Sequence, residues 1–233
     1  MPSAAAASIS FAVLALLLTA FGAALGWWSL SALVQRALRT PAGIGEERMP
    51  RRTVRVLSAA ITGVTFGLLG LRFGAWPLLP ALLVFAAGAT VLALVDLIEH
   101  RLPNTVVFTT LGVVAVFVGF ASLFTARAAP ALYALGGAAA MFAVYLLLAL
   151  ISPGAMGMGD VKLALLIGFV LGWFGLTAWL IGLLGAFVIG GVIAIVGLAA
   201  RRVTLRGSIP FGPSMLAGAI VALVLVGPPS VGG

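Results

Sequence analysis

No cysteine occurs in the 233 residues, which removes disulfides, thiolate nucleophiles and Cys-ligated zinc from consideration. Histidine occurs once, at His100, so a His-based metal site or catalytic triad is poorly supplied. Charge is scarce as well: only 8% of residues are Asp, Glu, Lys or Arg against 63% hydrophobic, a balance far outside that of soluble globular domains. Of the five acidic residues only two are aspartates, Asp96 and Asp160. Carboxylate chemistry is what remains available.

Apolar sequence is abundant, in long runs between short charged clusters, and about 20 such residues cross a hydrocarbon core. Runs such as LALVDLI do not alternate in polarity, so a transmembrane β-barrel is excluded and an all-α, polytopic transmembrane helical bundle is expected. Breaks at charges, Pro and Gly divide the chain into eight apolar segments, about 8–33, 54–71, 74–97, 104–124, 129–151, 161–174, 176–199 and 211–228. Counting basic residues in alternate loops puts Arg36, Arg39, Arg48, Arg51, Arg52, Arg55, Arg101, Lys162, Arg201, Arg202 and Arg206 on one side, and only Arg72 and Arg127 on the other. By the positive-inside rule both termini are expected outside. The split at Gly172-Trp173-Phe174-Gly175 rests on this count, since without a crossing there the 201–206 cluster changes sides. The first segment lacks a basic n-region, so an anchor fits it better than a signal peptide.

The net charge of +8 needs a basic face on a soluble domain to indicate nucleic acid, and no such domain is visible; anionic lipid at cytoplasmic loops accounts for it. Residues 34–55 carry six arginines with Glu46 and Glu47 around Pro41-Ala42-Gly43, and read as a cytoplasmic loop or as a contact for substrate or head groups. No internal repeat is visible, which gives an inverted-repeat transporter no support.

An aspartate near hydrocarbon is expensive and needs a reason. Asp96 ends an apolar run in VLALVDLIEHRLPN, and Leu102-Pro103-Asn104 follows as a break suited to opening the next helix. Asp160, in PGAMGMGDVKLALL, follows Pro153, Gly154, Gly157 and Gly159 at a helix start, where it is equally suited to capping backbone N–H groups. Lys162 is either an interfacial anchor or a partner for Asp160. The loop count puts both aspartates on the same side at similar depth. Two carboxylates brought close cannot easily both ionise, so one keeps a proton. Such a pair can activate water with one member and protonate a carbonyl oxygen and leaving amine with the other. It can equally form a proton relay, so a proton-coupled transporter remains the competing reading.

At these residues the sequence resembles the prepilin peptidases, or type IV leader peptidases, within the GxGD group of membrane aspartic proteases. Asp96 with Leu102-Pro103-Asn104 is similar to the family's first aspartate motif, Gly157-Met158-Gly159-Asp160-Val161-Lys162 to its second, and Ile209-Pro210-Phe211-Gly212-Pro213 to a Pro-Phe-Gly-Pro element. The last distinguishes it from the presenilin-like branch, which carries Pro-Ala-Leu near its C-terminus. The resemblance covers about 86–220 and implies a peptidase core at 86–233, with N-terminal helices and a short basic loop at 1–85. It also implies Asp96 and Asp160 as the catalytic dyad, type IV prepilins or pilin-like precursors as substrates, and an active site at the cytoplasmic face of the bacterial inner membrane. Pro103, Asn104, Gly157, Gly159, Lys162, Pro210, Phe211, Gly212 and Pro213 are the expected supporting residues. Many relatives also methylate the new N-terminus with S-adenosylmethionine and bind zinc through paired cysteines in a cytoplasmic region. Here the 34–55 loop is short and has no cysteine, so a peptidase without metal or cofactor is expected. A non-enzymatic scaffold would leave the aspartates unexplained.

Overall fold

The computed structural model describes residues 4–38, 49–125, 128–151, 156–200 and 210–228. Glu46, Glu47, Arg39, Arg48, Arg127, the 201–206 arginines, Pro153, Gly154 and Ile209 lie outside the described residues. All described elements are helical: α1 (Ala4–Leu25), a π-helical turn (Gly26–Leu30) continuing into α2 (Ser31–Ala37), α3 (Arg51–Phe73), α4 (Leu79–Glu99), α5 (Asn104–Thr125), α6 (Ala129–Ile151), α7 (Met158–Trp173), α8 (Leu176–Ala199) and α9 (Gly212–Val226). With α1 and α2 counted as one rod, these are the eight segments expected from the sequence.

Six of the rods are long and apolar enough to cross a membrane. α7 and α9 are shorter, at 16 and 15 residues. The protein is thus a multi-pass helical bundle whose outer surface is apolar: Leu16, Leu17, Phe21, Leu184, Val188 and Ile195 are exposed, as lipid-facing side chains are. α7 occupies the middle. From Val161 to Trp173 nearly every residue is buried, and a helix that is apolar all round belongs inside a bundle.

Small residues let these helices approach. A Cβ on Gly22 would run into the Thr62 carbonyl, and one on Gly168 would meet the Gly137 carbonyl, so the α1–α3 and α6–α7 seams are backbone-to-backbone contacts. The third segment begins five residues later than the expected 74. Gly74, at φ +56, ends α3, and Trp76 stacks on Phe73 in the turn that follows. At this same end Arg72 donates to the carbonyls of Val224 (2.8 Å), Leu225 (3.4 Å) and Val226 (3.2 Å), joining the C-termini of α3 and α9. The opposite end of the bundle holds both aspartates.

Candidate active site

Asp96 lies in the last turn of α4 and is 5% exposed. α4 ends because His100 adopts the left-handed region (φ 51), with its N–H donating to the Asp96 carbonyl at 2.8 Å. A non-glycine residue there is uncommon, and the turn it makes folds Leu102 back into the bundle, where only 9% of it is exposed. Pro103 then opens α5, accepting from the amides of Val106 and Val107. The start of α9 arrives beside this turn, and the Gly212 N–H donates to Asp96 Oδ2 at 3.1 Å. A Cβ at Gly212 would sit 2.7 Å from that oxygen, so glycine is required for the approach.

Asp160 stands in the first turn of α7, outside the six membrane-length helices. It is not the N-cap that the sequence allowed. Gly157 holds that position, and Asp160, three residues on, reaches back with Oδ2 to accept the Gly157 N–H at 3.2 Å. This is half of a capping box, since glycine has no side chain with which to reciprocate. Burial, and then the neighbouring Asp96 carboxylate, push the Asp160 carboxyl up to about 6, with the Gly157 amide pulling it back down.

The two carboxylates therefore feel one another, and each is held through one oxygen by a backbone amide. Leu102 lies between their flanks: Cβ atoms built on Gly159 and Gly212 would fall 3.1 Å from its Cβ and 3.4 Å from its Cδ2. Lys162 makes no ion pair with Asp160 among the described residues. Its Nζ donates to Asn104 Oδ1 at 3.0 Å, tying the start of α7 to the start of α5. Nearby, Arg101 pairs with Glu99 (2.5 Å). Phe211 packs on Phe187 (centroids 5.3 Å) and Tyr145 (6.4 Å). Pro210 and Pro213 flank Phe211 and Gly212, and Pro213 takes an early position of α9, where its missing N–H is harmless.

Two residues of the site escaped the sequence reading. Tyr145 is buried in α6, and its phenol feels the Asp160 charge. The available signal was a tyrosine in an apolar run six residues before the end of a helix, at the depth of the aspartates. Leu102 was visible only as part of a break, because nothing local says that its side chain turns inward.

Among known proteins, the type IV leader peptidase family matches residues 83–195, a stretch that contains both aspartates and ends before the Pro-Phe-Gly-Pro element. A curated relative from Bacillus subtilis (strain 168), named prepilin leader peptidase/N-methyltransferase, is 33% identical over 164 residues, covering 70% of this chain. Over these stretches the chain is similar to this family. It spans 62% of the length of that relative. No solved structure matches. Within the leader peptidase match fall the turn after Asp96, the glycine approach to Asp160, Asn104, Lys162 and Tyr145. The α9 start that holds Asp96 lies beyond it.

Proposed function

We propose that the protein is an aspartic endopeptidase that removes the leader of type IV prepilins or pilin-like precursors at the cytoplasmic face of the bacterial inner membrane. The observation that carries this reading is the convergence of the chain's two aspartates at one end of the bundle, each leaning one oxygen on a backbone amide. The second oxygen of each makes no hydrogen bond to the described residues, which leaves it for water and substrate.

In the proposed mechanism Asp160 enters protonated and Asp96 ionised. Asp96 takes a proton from water as the oxygen attacks the scissile carbonyl carbon. Asp160 donates its proton to the carbonyl oxygen; as the C–N bond breaks, Asp96 passes the proton it took from water to the leaving amine, and Asp160 recovers a proton from a hydroxyl of the tetrahedral intermediate as the new carboxyl forms. The Gly212 amide fixes Asp96 through one oxygen, as the Gly157 amide fixes Asp160, so both carboxyls are oriented by backbone at helix ends. The peptidase core is assigned to residues 86–233, and methylation, part of the relative's name, is not carried over to this chain.

Orientation follows from the basic residues. Among the described ones, Arg36, Arg51, Arg52, Arg55, Arg101 and Lys162 gather at the aspartate end and Arg72 at the other, which supports a cytoplasmic dyad. Asp96→Ala or Asp160→Ala should slow shortening of a coexpressed prepilin by at least about 100-fold on a gel while the protein still accumulates in membranes. Normal processing by both variants would sink the proposal.

A further inference from the structure

Three short stretches far apart in sequence meet at one side chain. Leu102 branches so that Cδ1 faces Gly159, the residue before Asp160, while Cδ2 faces Gly212, whose amide holds Asp96. A Cβ on Gly159 would stand 3.1 Å from Leu102 Cβ and 3.5 Å from both its Cδ1 and its backbone N; a Cβ on Gly212 would stand 3.4 Å from Cδ2. The leucine is held inward by the left-handed turn at His100 before it and by Pro103 after it, and the Asn104–Lys162 hydrogen bond closes the same corner. Each aspartate is thus backed by a glycine, and the two glycines rest on opposite branches of one leucine.

We infer that Leu102 is a positioning residue, a wedge that sets the separation of the two aspartates by holding the starts of α7 and α9 apart. Its consequence for rate rests on the peptidase reading; the spacing itself does not. Truncation to alanine removes both branches while leaving the backbone turn, so the helix starts lose the surface that separates them. Cores relax only partly around such a deletion, and small misplacements of catalytic groups cost large factors in rate.

The absence of cysteine makes the spacing directly measurable. In the full chain carrying Asp96→Cys and Asp160→Cys, a short bifunctional thiol reagent should link the two positions, read as joined peptides by mass spectrometry. Adding Leu102→Ala should change the linking yield by about tenfold, in the direction set by whether the helix starts close in or splay. In the chain with both aspartates intact, Leu102→Ala should lower kcat on a precursor substrate roughly 10- to 100-fold with KM within about twofold, and Leu102→Met should restore kcat to within about threefold. Unchanged linking and unchanged kcat in Leu102→Ala would overturn the wedge while leaving the peptidase standing. A changed linking yield in a protein whose parent cuts no precursor would keep the wedge and reject the peptidase. Should Leu102→Ala fail to accumulate, Leu102→Val, shorter by one methylene, carries the same comparison.

Discussion

At Asp160 the proton inventory of the site is decided by neighbours rather than by the residue itself. Burial and Asp96 raise the carboxyl to about 6, against the Gly157 amide. Its other polar surroundings are Tyr145, which feels its charge from α6, and Lys162, engaged with Asn104. Below about 6 Asp160 is protonated and can donate; as pH rises through that value it ionises beside Asp96, and the pair loses its acid. Precursor processing measured from about pH 5 to 9 should therefore decline on the alkaline side, with the fall starting near neutrality or below. Full activity persisting to the alkaline end would remove Asp160 as the acid. The two aspartates were legible in the sequence because carboxylates are rare in apolar runs. Their amide partners were not, since Gly212 lies 116 residues from Asp96 and a backbone donor leaves no mark in composition.

Among elements, the start of α7 separates what a motif shares from what packing requires. A Cβ at Gly157 would meet only Asp160 Oδ2 at 3.6 Å and Gly159 N at 3.8 Å, ordinary contacts, and its φ of −79 suits any residue. At Gly159 the same atom would press on Leu102. Gly157→Ala should keep processing within about threefold, whereas Gly159→Ala should lose about tenfold or more, because overpacking shifts helices by costs of about 1–3 kcal/mol. Equal losses in the two variants would mean that the constraint lies outside packing. The helix starts at 104 and 176 were legible because Pro103 and Gly175 mark them chemically. The late start of α4 was not, since the aromatic packing of Phe73, Trp76 and Phe174 that shapes the preceding turn is tertiary.

For the whole molecule, charge asymmetry predicts the orientation proposed above. Tags at residues 45 and 204 should report the cytoplasm, and tags at 127 or the C-terminus the outside, in a reporter-fusion or thiol-accessibility assay. Tags at 45 and 204 on opposite sides would separate the two basic clusters and remove the proposed cytoplasmic dyad. Bundle class was readable from hydropathy, and helix number from hydropathy together with the count of basic residues. The central place of α7 was not: its sequence is as apolar as that of the lipid-facing helices, and only its small shape against Gly137 and its all-round burial set it apart.

Arg72 sits on the sparse side of that asymmetry, yet it is not a stray cation there. Its guanidinium rests on the last carbonyls of α9, where the partial negative charge of a helix C-terminus collects. These contacts exist only once α9 has docked, so a chain cut short before Val224 would leave the end of α3 without the carbonyls that hold its cation.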